Sequence, residues 1–267
     1  YRGRFAPSPT GPLHFGSLVA ALGSWLEARH RQGEWLVRME DLDSQRVVPR
    51  CGDDILRTLE ALGLEWDGVV INQDARRDAY AEALEALRRE GLLFPCACSR
   101  KDLSIAGREG TEGPIYPGTC RSGLPPGRRA RTLRVRTETP PITFCDLVQG
   151  ELGQDVQHEV GDFVLRRADG IHTYQLAVVV DDAFQGVTDV VRGADLVLST
   201  PRQIFLQRAL GFTPPAYAHL PVAVDTQGRK LSKSDAAAPV DAGDPLPALL
   251  QAWRFLDQPP FPEAPAN

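Results

Sequence analysis

Three prolines and two glycines lie within the ten residues from Pro7 to Gly16, between what read as a first strand and a first helix. Residues 1–6 have the pattern of a strand. From Ser17 the apolar residues Leu18, Leu22, Trp25 and Leu26 recur at helical spacing until Gly33 stops the run. Residues 35–39 then read as a second strand. Strand, stiff turn, helix, strand is a βαβ unit, and its parallel strands need helices on the faces of the sheet. The predicted fold class is therefore α/β, a Rossmann-like doubly wound parallel sheet, which binds ligands in the loops after its strands.

Further elements follow. One predicted helix carries Ile55, Leu56, Leu59 and Leu62 and ends at Gly63; the next carries Tyr80, Leu84 and Leu87 and ends at Gly91. Each glycine precedes a leucine, Leu64 or Leu92, as in a Schellman cap with its apolar contact. Residues 95–125 are rich in Cys, Gly, Pro and Arg with little periodicity, so an insertion held by something other than a core is expected there. Residues 131–170 read as short strands with a hairpin tip at Ala168-Asp169-Gly170. The run from Leu176 to Val180 fits strand or helix, and residues 188–191 fit a strand. Thr200-Pro201-Arg202-Gln203 reads as a capping box opening a helix. Beyond residue 240 only a short tail rich in Pro and Ala is expected.

A hydrophobic fraction of 42% suits a chain with a sizeable core, and no run nears the roughly 18–20 apolar residues that span a bilayer. The expectation is a cytoplasmic protein with no membrane partner. A net charge of -5 means that a nucleic-acid partner would need a local basic surface. Arg121, Arg128, Arg129, Arg131, Arg134 and Arg136 crowd one stretch, which reads equally as an RNA contact or as a solvated loop and strand face. Five cysteines in a chain without a leader argue against a disulfide framework. Cys51 and Cys145 sit apart and read as inert, partly buried thiols.

Two segments carry the chemistry. Pro7-Ser8-Pro9-Thr10-Gly11-Pro12-Leu13-His14-Phe15-Gly16-Ser17 places a histidine and a glycine at the mouth of the first helix, where backbone N–H groups can hold phosphate. His14 can donate to a phosphate oxygen as charge shifts there. Lys230-Leu231-Ser232-Lys233-Ser234, far along the chain, supplies mobile cations for the same oxygens. Alone, His14 reads as a surface histidine and the lysines as a solvated charge run. Together they suit a nucleoside triphosphate attacked at its α-phosphate. A substrate with an acidic side chain needs guanidinium groups for its carboxylates and a carboxylate for its ammonium. Arg4, Arg192 and Glu40 supply that set at the ends of predicted strands, and each also reads as a structural ion pair.

The two segments resemble the signatures of class I aminoacyl-tRNA synthetases. Arg4 to Ser8, His14 to Ser17, Arg38-Met39-Glu40-Asp41, Val180-Asp181-Asp182, Arg192-Gly193-Ala194-Asp195-Leu196 and the Lys230 loop resemble the glutamyl-tRNA synthetase catalytic domain. A truncated form without the helical anticodon-binding region, with Cys96-Ala97-Cys98, Tyr116 and Cys120, resembles the glutamyl-queuosine tRNA(Asp) synthetase family. That resemblance implies ATP-dependent, tRNA-independent activation of L-glutamate to glutamyl-adenylate and transfer to the queuosine base of the tRNA(Asp) anticodon. The alternatives are a glutamyl-tRNA synthetase core charging a tRNA 3′ end, a small-molecule adenylyltransferase, or an RNA-binding module without catalysis. The implied glutamate contacts are Arg4, Phe5, Ala6, Pro7, Ser8, Glu40, Tyr174 and Arg192; the implied ATP contacts are His14, Gly16, Ser17 and Lys233. His14, Lys230 and Lys233 are the implied catalytic residues. ATP with Mg2+ and a monomeric enzyme are also implied.

Cys96, Cys98 and Cys120 offer three thiolates, whereas a structural zinc takes four ligands. Free thiols are the other reading. The resemblance makes Tyr116 the fourth ligand of one structural Zn2+. It also implies a catalytic core over residues 1–94 and 171–240, an inserted zinc-binding, acceptor-type subdomain over 95–170, and a short tail over 241–267.

Overall fold

The structure is a computed structural model that describes residues 1–110, 112–223 and 239–260. The chain forms two compact units, one of residues 1–71, 189–195 and 218–267, the other of residues 72–188 and 196–217.

In the first unit, β1 (Arg2–Phe5) leads through the proline loop to α1 (Phe15–His30), then β2 (Glu34–Met39), α2 (Cys51–Ala61) and β3 (Ile71–Asn72). β1 and β2 are parallel, with Arg4 opposite Leu36 and Phe5 opposite Val37, so the predicted βαβ unit is present. Leu18, Leu22, Trp35, Val37, Ile55 and Leu59 are buried together. Each is worth about 1.5–3 kcal/mol of burial, which is what holds the helices to the sheet. The buried Trp35 indole donates to Ser24 Oγ at 2.9 Å, so its one polar atom is satisfied. Gly33 lets the chain turn tightly: a Cβ there would lie 2.4 Å from the carbonyl oxygen of Tyr1. After α2, Gly63 adopts φ 70° and the Leu64 amide donates back to Leu59, the predicted Schellman geometry.

Three later pieces complete this unit. β11 (Asp189–Gly193) lies against β1 and α1, β12 (Ala216–Leu220) neighbours β11, and α7 (Leu246–Phe255) packs on α1. The Phe15 and Phe255 rings meet edge to face at 5.8 Å. The stretch expected to be an irregular tail thus contains a helix, because Leu249, Ala252 and Trp253 recur at helical spacing and join the core.

The second unit opens with α3 (Arg77–Arg89), closed by Gly91 at φ 69° with Leu92 donating to Leu87. β4 (Leu93–Cys96), β7 (Thr132–Val135) and β10 (Val164–Arg166) form an antiparallel sheet. Between β4 and β7 lie α4 (Arg100–Ala106) and the hairpin of β5 (Arg108–Gly110) and β6 (Gly113–Ile115). The stretch with little periodicity thus holds a short helix. Ser99 and Asp102 make a reciprocal capping box that starts it despite weak periodicity. β8 (Ile142–Asp146) and β9 (Gly150–Gln154) form a second hairpin, and Tyr217 of β12 pairs in parallel with Asp146. A single π-helical turn spans Val156–Val160. The predicted hairpin tip is present, with Gly170 at φ 84° and its amide donating to Arg167.

The ambiguous run from Leu176 to Val180 is helical, inside α5 (Tyr174–Phe184). α6 (Thr200–Ala209) follows a 3₁₀ segment, Ala194–Ser199, and this corrects the predicted cap. Thr200 is already the first helical residue, and Gln203 donates to the Gln175 side chain at 3.1 Å instead of closing a box. Asp181, fully buried, ties α5 to α3. It accepts from Gln73 at 2.9 Å, from the Tyr80 hydroxyl at 2.8 Å and from Arg76 Nε at 2.7 Å. Among the described residues no helix is long and apolar enough to cross a membrane.

Candidate active site and metal centre

His14 is the N-cap of α1. Its Nδ1 accepts from the Ser17 amide at 3.3 Å, and its Nε2 lies 3.0 Å from Ser17 Oγ. An Nδ1 that accepts leaves the hydrogen on Nε2, the tautomer able to donate. Gly16 and Ser17 lie in the first turn of α1, whose amides converge at the loop mouth. Pro239 bridges antiparallel to His14, and the Val240 amide donates to Leu13 at 2.8 Å. Lys230 and Lys233 lie outside the described residues. In the sequence both fall between Ala223, buried in the first unit, and Pro239, paired with His14.

The proline loop carries the other expected contacts. Arg4 is buried in β1 at 3% exposure, and the Phe5 ring stacks on Trp35 at 6.1 Å. The side chain of Phe5 therefore belongs to the core, which leaves only its backbone facing the loop. Ala6 and Pro7 are half-buried and Ser8 is exposed. Pro7 accepts from the Glu40 amide at 2.9 Å, which brings the end of β2 against the loop after β1. Glu40 lies 3.6 Å from the fully buried Arg38, a cation that fixes where the carboxylate sits. Arg192 is buried in β11 and donates from Nε to Nε2 of the buried His219 at 3.0 Å. A Cβ on Gly193 would meet Asp195 Oδ1 at 2.4 Å, so the Asp195 carboxylate folds back over the bare backbone of Gly193. These residues all belong to the first unit. Tyr174 is half-buried and begins α5 in the second unit. His219 carries no signal in the sequence, because an isolated His in a strand has no pattern to mark it, and Arg38 stands out only as part of Arg38-Met39-Glu40-Asp41, without a role of its own.

The arginine stretch divides. Arg134 is buried, donates to Asp162 O at 2.7 Å and lies over the Tyr116 ring at 4.1 Å. Arg121 pairs with Asp162 and Glu138, and Arg128 with Asp102. Much of that charge is structural. Cys145 is exposed and corrects the expectation of a partly buried thiol; it alternates outward on β8.

Cys96, Cys98 and Cys120 bring their sulfurs within 4.8 Å of one another. Cys98 and Cys120 sulfurs are 3.8 Å apart, and Tyr116 Oη is 3.5 Å from Cys96 Sγ. Tetrahedral zinc with Zn–S near 2.3 Å separates two sulfurs by about 3.8 Å, and a sulfur from an oxygen by about 3.5 Å. The Cys98–Cys120 and Cys96–Tyr116 separations match those two edges. Burial opposes the Cys96 thiolate, but hydrogen bonds from Tyr116 and the Cys98 amide, with Arg134 nearby, outweigh it and bring that thiol down to about 7. Burial and then the Cys96 charge push Cys98 up to about 11, and burial raises the Tyr116 phenol. Of Cys96 and Cys98, Cys96 thus gives up its proton more readily.

Comparison with known proteins agrees with this architecture. The profile of tRNA synthetases class I (E and Q), catalytic domain, matches residues 1–245. The chain is 59% identical over 260 residues to the glutamyl-Q tRNA(Asp) synthetase of Dechloromonas aromatica, covering 97% of this chain and 86% of that protein. It is 55% identical over 260 residues to the protein of that name from Chromobacterium violaceum, covering 97% and 87%. Among solved structures, the glutamate-tRNA synthetase of Elizabethkingia anophelis superposes with TM-score 0.76 at 28% identity, over 88% of this chain and 53% of that one. A glutamate tRNA ligase from Elizabethkingia meningosepticum in complex with its amino acid gives 0.75 at 28%, over 88% and 52%. The chain therefore spans about half the length of those two synthetases. Its sequence, its Rossmann-like core and the profile match agree: the chain belongs to the class I tRNA synthetase family for glutamate and glutamine, among enzymes of the glutamyl-Q tRNA(Asp) synthetase type.

Proposed function

We propose that this enzyme activates L-glutamate with ATP in the absence of tRNA and transfers it to the queuosine base in the anticodon of tRNA(Asp). The observation that supports the reading is the pairing of His14 with Pro239, which stands five residues after Ser234 in the sequence. The names of the relatives supply the acceptor.

In the first step a glutamate carboxylate oxygen attacks the α-phosphorus of ATP in line; the new P–O bond forms as pyrophosphate leaves with the electron pair. No covalent bond to the enzyme is needed, so positioning and charge supply the rate. His14 Nε2–H and the amides of Gly16 and Ser17 meet the phosphate oxygens. Lys230 and Lys233, the proposed catalytic lysines, neutralise the charge that develops, and Mg2+ arrives with ATP. Arg4 and Arg192 take the carboxylates of glutamate and Glu40 its ammonium, with the backbone of residues 5–8 beside it; Tyr174 is a further proposed glutamate contact. In the second step a queuosine hydroxyl attacks the adenylate carbonyl, an ester forms and AMP leaves. Cys96, Cys98, Tyr116 and Cys120 would hold one structural Zn2+, which cross-links the segment between β4 and β7 and takes no part in the reaction. The enzyme acts as a monomer, which sedimentation measures directly.

Pyrophosphate exchange without tRNA, run with glutamate, glutamine and aspartate, tests the first step; exchange with glutamate alone is expected. Transfer of labelled glutamate to queuosine-containing tRNA(Asp) and to tRNA(Glu) tests the second. Charging of tRNA(Glu) alone would make this a conventional synthetase core.

A further inference from the structure

Arg192 and His219 stand on neighbouring strands, 5% and 0% exposed, with Arg192 Nε 3.0 Å from His219 Nε2. An arginine Nε always carries hydrogen, so the imidazole nitrogen facing it must offer a lone pair. His219 is therefore neutral, with its hydrogen on Nδ1.

We propose that His219 is a positioning residue for glutamate: by accepting Nε–H it locks the guanidinium plane of Arg192 and aims the Nη edge at a substrate carboxylate. The inference rests on the reading of Arg192 as a glutamate contact. A buried guanidinium held by one Nη can swivel about its long side chain. Fixing Nε as well leaves a single orientation of the fork, which is what bidentate capture of a carboxylate requires. The choice of acceptor matters too. An aspartate at this position would orient Arg192 equally well but would add a negative charge beside the substrate carboxylate. A neutral imidazole orients the cation without adding an anion, which favours glutamate over its uncharged amide.

The test is tRNA-independent pyrophosphate exchange by the full chain. His219→Leu is expected to raise the glutamate KM by about 10–100-fold, with kcat and the ATP KM within about twofold. His219→Gln, whose amide oxygen can accept, should restore the glutamate KM to within about fivefold. Equal impairment of both variants would reduce His219 to packing and overturn the inference. So would an unchanged glutamate KM in His219→Leu alongside a raised one in Arg192→Ala. If Arg192→Ala leaves the glutamate KM untouched, the ligand assignment itself fails, and that outcome is read separately. A measurement on the unaltered enzyme stands apart from any folding defect. In 15N NMR of histidine-labelled protein, the signal lost in His219→Gln should report an unprotonated Nε2; a protonated one overturns the proposal.

Discussion

Pro239 pairs with His14 across an antiparallel bridge, so the first described residue after the two lysines touches the N-cap of α1. Lys233 is six residues from that contact along the chain. Lys233→Ala is expected to lower the rate of pyrophosphate exchange by about 10²–10³, the scale of one preorganised donor to a charged transition state. Unchanged exchange in that variant removes the lysine from the mechanism.

Protein purified without chelator should carry one zinc per chain by elemental analysis. Cys120→Ser, which breaks the cluster of three sulfurs, should lose it and lower the melting temperature by about 5–10 °C. Metal-free wild-type protein with an unaltered melting curve would leave the cysteines as ordinary thiols.

Asp181 is the joint between α3 and α5, and its partners Gln73, Tyr80 and Arg76 all lose an acceptor if it is removed. Asp181→Ala should cost about 3–5 kcal/mol in urea denaturation, because the Arg76 cation is left without its carboxylate. A loss under 1 kcal/mol would mean that water replaces the carboxylate.

His172 is half-buried against Tyr80, ring centroids 5.5 Å apart, and its Nδ1 has no hydrogen-bond partner. Burial, then Arg166 and Arg77, hold its pKa below the ordinary 6.5. The unfolded chain therefore binds a proton that the folded chain does not, and stability falls as pH drops below 6.5. Above 6.5 both states are neutral there and the residue contributes no slope. His172→Gln should flatten the stability profile below that pH, measured by urea denaturation at stepped pH. An identical slope in the variant would assign the acid sensitivity elsewhere.

Local signals were legible wherever the chain obeys its own neighbourhood. Gly63-Leu64 and Gly91-Leu92 close their helices as written, because a left-handed glycine and its following leucine need no tertiary help. Ser99 with Asp102 three residues on is a cap visible in the sequence, but the cysteines and glycines around it mask it. Leu176 to Val180 resisted assignment because α5 is buried on most sides, which erases the amphipathic period. Thr200 misled because the preceding 3₁₀ turn, a tertiary feature, had already started the helix. In the site, His14 and the cysteine cluster stand out by motif, whereas the partnership of Arg192 with His219 joins residues 27 apart and emerges only when two strands lie side by side.

The division of the chain into interleaved units bears on how it is made. The first unit contains residues 1–71, yet α7, which packs on α1, is made only after the whole second unit. The second unit is encoded almost entirely between them. During synthesis α1 must therefore wait with one apolar flank bare while an intervening body of chain takes shape, so the nascent protein should be most open to chaperones until residues 246–255 emerge.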